Sequence, residues 1–143
     1  MKSIIAIAKQ ISGGTQSQVG KKVGTKYLIK LFESLGISAN SKDDFFYELN
    51  KTPNTYEVDG LLYFKHKLIK QIEIKLLGIG NPEMGDQAIS RQSDILIIDQ
   101  LTKKMEMEAT NKGIEVIFIK NAPQKLYEYL KKKGLAVKPP KSV

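Results

Sequence analysis

The 143-residue chain contains no cysteine, one histidine and one arginine. Without cysteine there is no disulfide framework, no Cys-ligated zinc, no iron–sulfur cluster and no thiol catalysis. A single histidine excludes the common His-rich metal sites. It also makes any Ser-His-Asp triad depend on His66, which sits between Lys65 and Lys67. No apolar run approaches the roughly 18 residues a membrane-spanning helix needs. The apolar stretch Ile4–Ala8 is too short for the core of a secretory signal. No membrane association is expected, and the lack of cysteine fits a cytoplasmic protein. The length suits one domain over residues 1–143, with a core at 19–135 and a flexible C-terminal tail at 136–143.

What is abundant is lysine. Lys plus Arg total 23 against 15 Asp plus Glu, a formal charge of +8. A basic domain points toward polyanions. The distribution says more than the total. Residues 1–54 carry 8 basic and 4 acidic side chains, residues 55–99 carry 5 and 7, and residues 100–143 carry 10 and 4. Basic flanks surround an acidic middle. A pure DNA-binding module has no use for acids near phosphate, whereas a metal-dependent nuclease needs them to hold the cation that faces phosphate. Solvated surface acids would give the same count.

Hydrophobic periodicity sets out the elements. Val19, Val23, Tyr27, Leu31 and Leu35 recur every four residues, with Leu28 and Phe32 widening the stripe, as on an amphipathic helix closed by Gly36. Residues 37–54 read as irregular, with a helical turn near Asp43–Leu49. Thr55–Phe64 and Leu68–Leu77 are rich in β-branched and aromatic residues, and Lys65-His66-Lys67 between them suits a hairpin loop. Residues 78–93 read as a loop. The run Asp94–Asp99 and the run Ile114–Ile119 read as buried strands flanking a helix at 100–112 that Gly113 ends. A last helix follows Pro123 and ends at Gly134. The fold class is therefore α/β: an α-β-β-β-α-β core, a four-stranded mixed sheet and flanking helices, with the last two strands parallel.

Chemistry concentrates on the hairpin. Alternation puts Glu57 and Asp59 on one face of its first strand, and Glu73 and Lys75 on one face of its second. A turn at 65–67 pairs positions whose numbers sum to about 132, which sets Asp59 opposite Glu73. Adjacent like charges on paired strands are unfavourable without compensation. A divalent cation supplies it, and oxygen ligands suit Mg²⁺. Lys75 would point at the same water, able to orient it, lower its pKa or stabilise a pentavalent phosphate. Glu-x-Lys alone is common on solvated strands, and Asp59-Gly60 could be a turn dipeptide. Against a turn, the pair lies inside the apolar run Tyr56–Phe64.

Asp59, thirteen intervening residues, then Glu73-Ile74-Lys75, set in this element order, resembles the PD-(D/E)XK nuclease superfamily from Val19 to Leu135. The stretch EIKLLGIGNPEMGDQAISRQSDILIIDQLT is most similar to type II restriction endonucleases of the CfrBI kind. The resemblance implies that Asp59 and Glu73 ligate Mg²⁺ and that Lys75 assists the attacking water. It also implies double-stranded DNA cut to 5′-phosphate and 3′-hydroxyl ends. Val58 stands where many members have proline. Glu33 is the only acid on the first helix and lies late in it, so the third ligand is left among Glu33, Glu57 and Asp86, with Glu57 the natural substitute. Restriction enzymes are usually longer, which leaves a minimal nuclease and a C-terminal catalytic domain both open. Cutting both strands needs two active sites, so a homodimer is expected.

Other features carry two readings each. Gly78, Gly80 and Gly85 lack a following GKS or GKT, which argues against a Walker-type loop and leaves a flexible loop or a close approach to DNA. Arg91 suits guanine, phosphate or a surface ion pair. Lys21-Lys22 would open the first helix, where phosphate is favoured. Lys131-Lys132-Lys133 suits a solvated helix end or the DNA backbone. The rival functions are a structure-specific nuclease of the Holliday-junction-resolvase type, a non-catalytic DNA-binding module on the same fold, and a small basic protein-interaction domain.

Overall fold

The computed structural model describes residues 16–50, 59–76 and 93–140, with side chains from residue 22 onward. The chain runs α1 (Gln16–Ser34), β1 (Phe45–Leu49), β2 (Gly60–Phe64), β3 (Lys67–Lys75), β4 (Ile95–Ile98), α2 (Lys103–Asn111), β5 (Glu115–Phe118), a 3₁₀ turn (Ile119–Asn121) and α3 (Ala122–Lys132). The sheet order is β1-β2-β3-β4-β5. The β1–β2 and β2–β3 pairs are antiparallel, and the β3–β4 and β4–β5 pairs are parallel. The mixed α/β architecture expected from the sequence is present, with one strand more than the expected four.

That extra strand is β1, where a helical turn near Asp43–Leu49 was expected. Phe45, Phe46 and Tyr47 are all buried, so the run lacks the alternation that marks a half-exposed strand. Both faces are covered. Phe46 stacks on Tyr63 with ring centroids 5.1 Å apart, and Tyr47 tilts against Phe32 at 4.7 Å from the other side.

Alternation along β3 and β4 divides the core into two. Ile72, Ile74, Leu76, Ile95 and Ile97 face α1 and α3, whose Tyr27, Leu28, Leu31, Phe32, Leu126 and Leu130 close the larger cluster. Leu96 and Ile98 face α2, where Ala109 and Ile114 complete a smaller one. Burial of these side chains, each worth about 1.5–3 kcal/mol, is what holds the layers together.

α1 ends as expected. Gly36 takes φ +72°, the Gly36 amide donates to the Glu33 carbonyl and the Ile37 amide to that of Phe32. This is the Schellman arrangement, whose left-handed residue favours glycine. Gly113 and Gly134 close α2 and α3 in the same way.

The hairpin turn has two residues rather than three. Lys65 (φ 50°) and His66 (φ 65°) both lie in the left-handed region, as a type I′ turn requires. Lys67 already belongs to β3. A register shift between Leu62 and Tyr63 then inserts Ile69 as an extra residue in β3. Beyond it the pairs are Leu62–Lys70, Leu61–Gln71 and Gly60–Ile72.

Residues 136–140 have no regular structure, yet the Lys138 amide donates to the Leu35 carbonyl at 2.8 Å and Val137 packs against the larger cluster. Among the described residues no helix is long and apolar enough to cross a membrane.

Candidate active site

Asp59 lies where β2 begins. The β2–β3 ladder reaches the Gly60–Ile72 pair, and past it the Ile74 amide donates to Asp59 Oδ2 at 2.9 Å. The Asp59 carbonyl accepts from the Asn50 amide at the end of β1, at 3.0 Å. The aspartate is thus pinned between β1 and β3, and the strand not expected from the sequence helps to place it.

Glu73 and Lys75 flank Ile74 and share the sheet face opposite it. The parallel ladder sets Glu73 beside Leu96 and Lys75 beside Ile98. Glu73 is 0% exposed, a rarity for a carboxylate, while the Lys75 side chain is 19% exposed. Lys75 Nζ lies 3.5 Å from Glu73 Oε1. Ile74 itself turns into the larger core against α1. A Cβ built on Gly24 would lie 3.1 Å from Ile74 Cγ2, so glycine lets the helix press closely on the strand from behind.

The structure therefore places the Lys75 ammonium against Glu73, and the Asp59 carboxylate on the backbone amide of Ile74 between them. Glu33 is not with them. It is exposed on α1, which packs on the other face of the sheet, and its charge acts on Tyr47, whose hydroxyl pKa is raised mainly by burial and further by Glu33. Glu57 and Asp86 lie outside the described residues, as do Gly78, Gly80, Gly85 and Arg91. α1 extends from Gln16, so Lys21-Lys22 sits beyond its first turn rather than opening it. His66 is a turn residue whose ring meets that of Phe46 edge-on at 6.2 Å.

Among the described residues no group of three or more His, Cys, Asp or Glu side chains gathers as a metal site. Two carboxylates with an amine beside them still fit Mg²⁺, which is commonly held by one or two carboxylates and completes its shell with water and substrate phosphate. Among the described residues no His or Cys ligand, of the kind zinc and iron commonly take, joins these carboxylates. Two lysine–tyrosine pairs on α3 escaped the sequence reading. Their signal was the four-residue spacing of Tyr127 to Lys131 and of Tyr129 to Lys133.

Compared with known families, residues 1–106 match the CfrBI restriction endonuclease family. No curated protein and no solved structure matches the chain. The matched segment includes Asp59, Glu73 and Lys75 and ends within α2.

Proposed function

The chain belongs to the CfrBI restriction endonuclease family, and from that premise we propose that it is a Mg²⁺-dependent DNA endonuclease of the PD-(D/E)XK type. The observation that carries this reading is a fully buried Glu73 paired with Lys75, beside an Asp59 that is hydrogen-bonded to the intervening residue. Burying a carboxylate costs several kcal/mol. A fold that keeps one beside a second carboxylate has a use for the paired charge.

Asp59 and Glu73 hold the cation, with Glu57 the candidate third ligand. Mg²⁺, when bound, neutralises phosphate charge and makes water more acidic. Lys75 holds the attacking water or stabilises the negative charge that grows on the phosphoryl oxygens. Water oxygen bonds to phosphorus as the bond from phosphorus to the 3′-oxygen breaks. The water proton is lost, the 3′-oxygen gains one, and the ends are 5′-phosphate and 3′-hydroxyl. Glu73 fixes the Lys75 ammonium through their ion pair, so the donor is in place before substrate arrives. A homodimer places two such centres on the two strands of a palindromic site. The cytoplasm suits this reading.

Cleavage of linear and four-way branched DNA in Mg²⁺ tests the proposal, beside Lys75→Ala. Cutting of linear duplex, lowered about 10²–10³-fold in the variant, is expected. Cutting of branched DNA alone would replace this reading with the resolvase type. DNA bound but uncut in Mg²⁺ would leave a binding module.

A further inference from the structure

The helix that follows the matched segment carries a basic surface that the reaction does not use. Residues 120–138 hold six lysines against one glutamate, a surplus of five within a chain of net +8. The excess is organised. Lys131 Nζ lies 5.4 Å from the Tyr127 ring centroid and donates to the Tyr127 hydroxyl at 3.1 Å. Tyr129 is clasped on two sides, by Lys133 at 5.5 Å and by Lys70 of β3 at 5.8 Å. Tyr127, Tyr129, Lys131 and Lys133 line an open depression along α3 with Lys125 and Lys132, edged by Glu115 and Glu128.

Its position separates it from the candidate active site. Lys70 shares the sheet face of Ile72 and Ile74, under α3, whereas Glu73 and Lys75 occupy the other face. Lys70 and Lys75 are five residues apart along β3, roughly 17 Å. The dipole of α3 explains a lysine or two in its last turn. It does not explain Lys70, which comes from another element, or Lys125 in the first turn, where the dipole disfavours a cation.

We propose that this face of α3, with Lys70, is a second DNA-binding surface that takes the phosphate backbone of a duplex away from the cutting centre. Lysine ammoniums are point charges that meet phosphate without demanding a bidentate geometry. The tyrosine rings hold several of them in place, which reduces the ordering cost of binding. The described surface has no arginine to fork onto a base, so its contacts carry no sequence preference. Such a surface holds the enzyme on DNA between cutting events and raises the local concentration of sites.

The proposal rests on the DNA-endonuclease reading for its choice of partner, but its test needs no cutting. Affinity for a duplex of arbitrary sequence is measured in EDTA across a salt series. The proteins are the wild type, K131Q/K132Q/K133Q, and an equal-charge control, K26Q/K30Q/K42Q, whose exposed lysines lie elsewhere. The α3 variant is expected to bind more weakly, with a log–log salt slope shallower by about 2–3. The control should keep the wild-type slope, and Lys70→Gln should weaken binding in the same direction as the α3 variant. Wild-type binding by the α3 variant would overturn the proposal. So would equal losses in variant and control, which would mean that net charge alone governs affinity. A polyglutamate probe held by the wild type in preference to duplex would overturn it in favour of an acidic protein partner. Failure of the nuclease reading would appear instead as absent cleavage in Mg²⁺ with these slopes unchanged.

Discussion

Replacing Glu73 with glutamine is expected to stop cutting and, in the absence of metal, to stabilise the fold. Glu73 is 0% exposed and its Oε1 lies 3.5 Å from Lys75 Nζ. At that separation, with an effective dielectric of about 20, the attraction is about 4–5 kcal/mol. Removing a carboxylate from water costs several kcal/mol even after relaxation. The two terms nearly cancel. The Asp59 carboxylate, bonded to the next residue's amide, adds repulsion. Glutamine removes both the burial cost of the charge and that repulsion, and Lys75, 19% exposed, keeps access to water. The expected gain is about 1–2 kcal/mol, or roughly 3–6 °C in Tm for a chain of this size. Mg²⁺ at 100 times its Kd should then add about 2.7 kcal/mol to the wild type and nothing to the variant. The order of stabilities would thus reverse between EDTA and Mg²⁺. Thermal denaturation followed by circular dichroism in the two buffers reads this directly. A loss beyond about 2 kcal/mol in EDTA would identify Glu73 as a structural group and refute the reasoning. Equal stabilisation of both proteins by Mg²⁺ would refute its role as a ligand.

Two further predictions concern the scaffold. Burial pushes the Tyr27 hydroxyl up to about 12, against an unfolded value near 10. Its contribution is therefore fully present below pH 10 and lost as the pH rises toward 12, about 2–3 kcal/mol in all. Urea denaturation at several alkaline pH values should show that Tyr27→Phe removes this part of the decline, and parallel pH profiles would contradict it. Replacing Lys65-His66 with Asn-Gly should stabilise the hairpin by about 1–2 kcal/mol, because both positions have positive φ. Denaturation midpoints test this, and a loss would show that the contacts of Lys65 with Phe64 and of His66 with Phe46 outweigh the turn.

The approach of Asp59 to the strand that carries Glu73 and Lys75 was legible in the sequence because a hairpin's register is arithmetic. A three-residue loop predicts pairs summing to 132. The actual turn has two residues, and the extra Ile69 restores the same sum beyond Leu62, so Asp59 still approaches the Glu73–Ile74 segment. Two differences offset each other, and the alternation of side chains did the rest. β1 was not legible for the opposite reason. Asp43-Asp44 before an apolar run imitates a helix start, and aromatic cover on both faces hides the period of two. Nothing in the spacing of Glu33 could say which side of the sheet α1 would take. That depends on Ile72, Ile74 and Leu76 turning toward the helix and so turning Glu73 away from it. The docking of the tail through Lys138 onto Leu35 is a single backbone hydrogen bond between distant residues, and composition carries no trace of it.

The most direct test of the account is incubation of supercoiled plasmid with the purified protein in Mg²⁺, beside Glu73→Ala. Discrete fragments are expected from the wild type, none in EDTA and none from the variant. Equal cutting by the variant, or an intact plasmid with the wild type bound to it, would contradict the assignment of Asp59, Glu73 and Lys75 as the cutting centre.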